Sequence, residues 1–175
     1  MVFFKQLAVF LALITLNTLA QAQSSNDPDP DKGFYLQGGL ASLKYTYGNY
    51  NYNLGTTYAI YGGYNFNKNI AGEILTATSS TPSYSTTLSF KGFFIKPKMQ
   101  LAENFELFGR FGSNSISVSS TVQSSWTKSY TSYGGGLTAF MSSDKKDYIS
   151  AEYMSWGQEG AIKLTGISVG YGKRF

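Results

Sequence analysis

The 175-residue chain contains no histidine and no cysteine, has a formal net charge of +4, and is only 14% charged. These absences remove the usual general base near neutral pH, the commonest metal ligand, thiolate metal sites and disulfides. The basic residues are dispersed, without the clustered stripe that nucleic-acid binding requires. We therefore expect a protein that is not an enzyme, with no catalytic residues, no cofactor, no metal and no nucleic-acid partner.

The first 22 residues have the layout of a cleaved secretory signal peptide. Lys5 is their only charge, an apolar run follows from Leu7 to Leu16, and Ala20-Gln21-Ala22 has the form of a cleavage site. An uncleaved anchor helix is the alternative, but the run is shorter than the roughly 20 apolar residues that span a bilayer. We predict cleavage after Ala22 and a disordered polar tail over residues 23–32.

Residues 33–175 alternate between apolar and polar positions and are rich in Gly, Tyr and Phe, which favours strands joined by turns. The predicted strands are Gly33–Tyr45, Thr56–Phe66, Ile70–Ser79, Ser85–Met99, Phe105–Ser115, Tyr130–Met141, Tyr148–Trp156 and Ile162–Phe175. Short connections (67–69, 100–104 and 142–147) alternate with longer ones (46–55, 80–84, 116–129 and 157–161). This alternation is typical of a membrane barrel with tight periplasmic turns and longer extracellular loops. The pattern predicts an all-β fold, an eight-stranded antiparallel up-and-down transmembrane β-barrel with both termini periplasmic.

One parity of these strands is almost free of charge and suits a lipid-facing wall. The opposite parity contains Glu73, Lys96, Glu106, Arg110, Glu152 and Arg174. Charged side chains cost roughly 2–4 kcal/mol when an Arg or Lys faces lipid at mid-depth, so we expect this parity to face the lumen. Since an eight-stranded barrel is just wide enough for side chains to fill it, we interpret these residues as an ion-pair network that plugs the lumen.

The last strand has a distinctive outward row. Ile167, Val169 and Tyr171 share the parity of the terminal Phe175. This aromatic-ended strand resembles the assembly signal of bacterial outer-membrane barrels. The resemblance implies that the barrel-assembly machinery is a partner during biogenesis.

With a signal peptide, about eight alternating strands, a polar interior and a terminal Phe, the chain resembles the small outer-membrane β-barrel superfamily of the OmpA and OmpX type. The segment from Phe93 to Gly112 looks especially like the central hairpin of that group. The resemblance, which covers most of residues 33–175, implies an outer-membrane location in a Gram-negative cell envelope. It also implies contact with outer-membrane lipids and lipopolysaccharide, and a monomer.

Three functions remain open at this point. The first is a structural or surface-interaction role through extracellular loops, in which Tyr47, Tyr50, Tyr52 and Trp126 either contact a host or cell-surface ligand or form an interfacial belt. The second is a narrow passive pore, as the porin-family label of such proteins suggests. The third is a soluble carrier with an apolar interior and its charges outside.

Overall fold

The computed structural model describes residues 32–81, 86–120 and 124–175. Eight strands fill these ranges: β1 (Gly33–Tyr47), β2 (Tyr50–Asn67), β3 (Ile70–Thr81), β4 (Thr86–Ala102), β5 (Phe105–Ser120), β6 (Trp126–Phe140), β7 (Asp147–Glu159) and β8 (Ile162–Arg174). No helix in the described ranges is long and apolar enough to cross a membrane. The predicted signal peptide and residues 23–31 of the predicted tail lie outside the described residues.

The strands form a closed antiparallel barrel in which each strand pairs with its neighbours in the chain and β1 pairs with β8. The predicted up-and-down, eight-stranded architecture is therefore confirmed, and closure leaves no free sheet edge. Following the register around the barrel from Gly33 returns to Leu43 on the same strand. The strands are thus strongly tilted, as closure of a barrel requires.

We call the end of the barrel that carries Gly33 and Phe175 the termini end, and the opposite end the far end. At the far end the strands continue beyond their predicted limits. The predicted loop 46–55 is a hairpin with a turn at Gly48 and Asn49, and most of 116–129 and 157–161 is strand. Thr, Tyr and Ser alternate with apolar residues there, and the ladder of backbone hydrogen bonds persists. Gly48 and Gly160 have φ of 55° and 57°, the left-handed turn conformation that glycine adopts without strain.

The outer face changes from apolar to polar part of the way along each of the eight strands. The last apolar outward residues are Leu40, Tyr58, Ile74, Phe93, Phe111, Tyr133, Tyr153 and Ile167, and all are exposed. Two residues further toward the far end stand Ser42, Thr56, Thr76, Lys91, Ser113, Thr131, Ser155 and Thr165. Within β1–β2, β3–β4, β5–β6 and β7–β8 these residues pair directly, for example Leu40 with Tyr58 and Ser42 with Thr56. Between these pairs of strands the change is offset along the register, as strand tilt requires; Tyr58, for instance, pairs with Thr78. We call this ring the border; it divides the barrel into a termini half and a far half.

Candidate functional site

The lumen of the termini half is built around one carboxylate, Glu73 on β3. Arg110 on β5 binds it through two bonds, from Nε to Oε2 at 2.5 Å and from Nη2 to Oε1 at 3.0 Å. Lys96 Nζ on β4 lies 3.3 Å from Glu73 Oε1. All three side chains are buried, so the charges satisfy one another where little water reaches them.

Arg110 also spans the lumen to a second carboxylate. Its Nη1 donates to Glu152 Oε2 on β7, so one guanidinium joins strands that are not neighbours in the barrel. Ser168 Oγ donates to Glu152 Oε1 at 2.8 Å. The charged cluster of Glu73, Lys96, Arg110 and Glu152 contains two acids and two bases, and it crosses the lumen from wall to wall.

Aromatic side chains complete this cluster. The Tyr35 hydroxyl donates to Glu73 Oε1 at 2.6 Å, and the Tyr61 hydroxyl donates to Glu152 Oε1 at 3.1 Å. The Arg110 guanidinium lies 4.1 Å from the centre of the Tyr61 ring, and Lys96 Nζ lies 4.3 Å from that of Phe108. These rings hold the cations by cation–π contact and exclude water from the pairs.

The remaining two predicted network residues form a separate pair nearer the termini end. Arg174 Nη2 lies 3.1 Å from Glu106 Oε2, and its guanidinium lies 4.4 Å from the centre of the Phe140 ring. Arg174 is partly exposed, unlike Arg110. The structure therefore divides the six predicted lumen charges into a cluster of four and a pair at the rim.

Sequence reasoning missed several residues of this polar interior. Tyr35, Tyr61 and Ser168 are members of the hydrogen-bond network, and Lys98 Nζ donates to Asn65 Oδ1 at 2.6 Å. All five share the inward parity, which is the signal that would have found them. Across the described residues, no three acidic side chains come together in an arrangement that would hold a metal ion.

The lumen of the far half is mainly apolar, with Asn114 and Ser132 buried beside Trp156, which corrects the expectation of a polar interior throughout. Its buried core includes Leu43, Phe90, Ile116, Trp156 and Leu164, with Leu75 and Met154 at the border. The rings of Phe90 and Trp156 are 5.6 Å apart, and both residues are almost completely buried. Beyond the border the outer wall is made of Ser, Thr and Lys, so the lumen takes the apolar side chains of this half. This apolar core therefore blocks the lumen at a second position, beyond the charged cluster.

The four predicted loop aromatics lie at the far end, but in strands rather than in loops. Tyr47 ends β1, Tyr50 begins β2 with Tyr52 close behind, and Trp126 begins β6. All four are exposed, up to 67% for Tyr50. The expectation of a loop was wrong because Tyr47 and Tyr50 pair directly across a two-residue turn.

An exposed ion pair stands beside these aromatics. Lys128 Nζ donates to Glu159 Oε1, with both side chains about half exposed. This hydrogen bond lowers the pKa of the Glu159 carboxyl and raises the pKa of Lys128. Burial raises the pKa of the neighbouring Tyr130, whose hydroxyl is 3.4 Å from Glu159 Oε2.

The predicted assembly row occupies the outer face of β8. Ile167, Val169 and Tyr171 are all exposed, between 52% and 62%. Phe175 follows the end of the strand, half-buried, and its N–H donates to the carbonyl of Phe34 at 2.9 Å.

Comparisons with known proteins agree with this architecture. A family model described as "Outer membrane protein beta-barrel domain" matches residues 8–175. Ail of Yersinia pestis, solved in complex with the heparin analogue sucrose octasulfate, is 19% identical with a TM-score of 0.61, covering 83% of this chain and 99% of Ail. Neisserial surface protein A is 18% identical with a TM-score of 0.62, covering 82% of this chain and 97% of its own.

A third similar structure is the N-terminal β-barrel domain of Pseudomonas aeruginosa OprF. It is 11% identical with a TM-score of 0.55, covering 78% of this chain and 96% of that domain. At these identities the likeness shows the fold alone. No curated protein sequence matches the chain.

Proposed function

Because the chain belongs to the outer membrane protein β-barrel domain family, we propose that it is a closed, non-catalytic outer-membrane barrel that acts through the surface of its far half. In this proposal both termini are periplasmic, and the apolar wall of the termini half lies in the bilayer. The far half, with Tyr47, Tyr50, Tyr52 and Trp126 at its end, stands outside the cell.

The single observation that carries this proposal is the double closure of the lumen. An ion entering from the termini end meets the Glu73–Arg110–Glu152 bridge, whose charges are already paired. Beyond it lies the apolar core around Phe90 and Trp156, where an ion would lose its hydration without compensation. A passive pore would have to open both barriers, so a surface role fits the lumen better.

The length of the strands supports a role outside the membrane. A transmembrane β-strand needs about 9–11 residues, whereas β2 has 18 and β4 has 17. The excess lies beyond the border, where the outer wall is polar. The strands thus carry a rigid sheet away from the bilayer, and rigid sheets hold binding residues with less loss of conformational entropy than loops do.

Partners are proposed from the chemistry of this surface. The exposed aromatics at the far end suit contact with a host or cell-surface ligand, since Tyr and Trp are common anchors of interfaces. The complex of Ail with a sulfated sugar analogue is an instance of ligand binding by a barrel of this fold. The outward row of β8 with Phe175 is proposed as the signal for the barrel-assembly machinery, and the barrel as a monomer.

Planar-bilayer recording of the folded wild-type protein tests closure directly. We expect no steady single-channel current, because both barriers remain in place. A steady, sizeable conductance would overturn the closed barrel in favour of a narrow pore. Heat-modifiable migration on SDS gels, measured on the same sample, establishes that the barrel was folded when its current was recorded.

A further inference from the structure

A groove of about 580 Å³ runs along the outer wall of the termini half at the junction of β8, β1 and β2. Its walls are apolar, and they come from Leu40, Tyr58, Ile60, Val169 and Tyr171. Gly38 forms the floor: a Cβ placed on this residue would meet no atom within 4 Å. The groove is therefore an open gap in the outer wall. It exists because Gly38 has no side chain, whereas the neighbouring outward positions carry large apolar ones.

Two lysines stand beyond the border on the same β1–β8 seam. Lys44 and Lys163 are both exposed and on the outward parity. Lys44 pairs with Thr165 and Lys163 pairs with Thr46, so the two lysines are diagonal neighbours, about 7–8 Å apart at the backbone. Among the residues that the structure describes, neither has a carboxylate within salt-bridge distance.

The depths of the two features match those of one lipid molecule. Lys44 is six residues beyond Gly38 on β1, about 20 Å along the strand and, since barrel strands tilt by about 35–45°, about 15 Å in depth. A lysine stem lies along an apolar wall while its ammonium reaches the polar layer. A phosphate held between two ammonium groups would thus stand at the border, with its hydrocarbon chain directed down the groove.

We propose that the β1–β8 seam is a binding site for one phosphorylated lipid. Lys44 and Lys163 bind its phosphate, and the groove over Gly38 takes one acyl chain. Charge complementarity selects an anionic headgroup, and the position of the groove in the bilayer-facing wall selects a lipid over a soluble phosphate. This site rests on the proposed membrane location and adds a specific lipid to it.

The test is native mass spectrometry of the folded full-length protein, released from phosphatidylcholine vesicles that contain phosphatidic acid as a minor component. We expect one retained phosphatidic acid per barrel. The double variant Lys44→Gln/Lys163→Gln should lower the apparent affinity roughly 25-fold, since each lysine near an anionic surface contributes about fivefold. Lys91→Gln is the matched control, because Lys91 is also exposed and outward just beyond the border, but away from the seam.

The groove has its own variant and control. Gly38→Leu fills open space and should lower retention of phosphatidic acid, whereas Gly62→Leu places the same side chain on the same wall outside the groove. Retention that is equal in the Lys44/Lys163 and Lys91 variants, or equal for phosphatidic acid and phosphatidylcholine, would overturn the site. Glycerol 3-phosphate competing as well as the lipid would show that the groove takes no part, which also overturns it.

Separate measurements show whether the proposed membrane location itself is wrong. Sedimentation with the vesicles and heat-modifiable migration report insertion of the barrel, whatever lipid it retains. An inserted barrel without lipid selectivity contradicts only the seam site. A folded protein that stays out of the vesicles contradicts the proposed function.

Discussion

The termini half and the far half of this barrel are built from the same eight strands, yet they place their apolar side chains on opposite faces. In the termini half the outer wall is apolar and the lumen contains the Glu73–Arg110–Glu152 bridge. In the far half the outer wall is Ser, Thr and Lys, and the lumen is filled by residues such as Phe90 and Trp156. The strand sets only the alternation of side chains, and under the proposed placement of the termini half in the bilayer, the medium outside each half accounts for which face is apolar.

The two halves also close the lumen by different physics. The charged cluster is held by directional bonds, and each member depends on the others because an unpaired buried charge is costly. The apolar core is held by packing, and it tolerates partial loss better because neighbouring side chains relax into part of the gap. Substitutions that separate these two kinds of closure test the comparison.

The largest effect is expected from Arg110→Ala. It leaves Glu73 and Glu152 without their shared partner and should lower the free energy of unfolding by about 3–5 kcal/mol. Urea-driven unfolding of the barrel in lipid vesicles measures this loss. Arg174→Ala, which breaks the partly exposed pair with Glu106, is the matched control and should cost about 1.5–3 kcal/mol.

A combined variant shows whether the loss of stability in Arg110→Ala comes from a buried carboxylate that is left without a cation. Adding Glu152→Gln removes the carboxylate that has lost its cation, while Glu73 keeps its pair with Lys96, and should recover much of the stability. A double variant, Arg110→Ala/Glu152→Gln, that is no more stable than Arg110→Ala would mean that the guanidinium acts through packing alone.

The apolar half is tested by Phe90→Ala. Removing a buried ring should lower the free energy of unfolding by about 3–5 kcal/mol, toward the lower limit if Trp156 moves into the gap. Planar-bilayer recordings should show no steady current in this variant, since the charged cluster still closes the lumen. Adding Phe90→Ala to Arg110→Ala/Glu152→Gln weakens both barriers, and here we expect more current than in either parent variant; a barrel as silent as both parents would contradict two closures in series.

The outer border is tested by placing one charge on either side of it. Leu137→Arg puts a charge on the exposed apolar wall of β6 and should cost about 2–4 kcal/mol if that position is at mid-depth. Ser129→Arg lies on the same strand and the same face beyond the border, where water is available, and should change stability little. Equal losses from the two variants would mean that the border does not mark the edge of the bilayer.

The alternation of the strands explains how much of this was predictable. Parity alone placed Glu73, Arg110 and Glu152 inside, and the alternation of short and long connections predicted a barrel of eight strands. It could not show that Arg110 bridges β3 and β7, because partners across the lumen depend on the register accumulated around a tilted barrel. Parity shows on which side of the sheet a side chain lies, but not its position along the barrel axis.

The apolar lumen and the long strands of the far half were not predicted, for a different reason. In β4, Phe93 and Ile95 face outward while Leu88, Phe90 and Phe94 face inward, so apolar residues occur on both parities and no single face is marked. The Ser-rich composition of 116–129 also favours a loop when it is considered alone. Its strands form because Ile116 and Val118 pack inward and the ladder to β6 satisfies the backbone.

The smallest effect is expected at the exposed pair of Lys128 and Glu159. The pair lowers the pKa of Glu159, so what it contributes is present above the ordinary carboxyl value of 4.5 and is lost as the pH falls through the lowered value. It raises the pKa of Lys128, so its contribution is lost only as the pH rises above 10.5. Near neutral pH the pair is intact, but exposed ion pairs contribute little because water and salt screen them. Glu159→Gln should therefore leave the urea midpoint unchanged at neutral pH, in contrast with Arg110→Ala. A large loss would show that the far end depends on charge pairing in the way the termini half does.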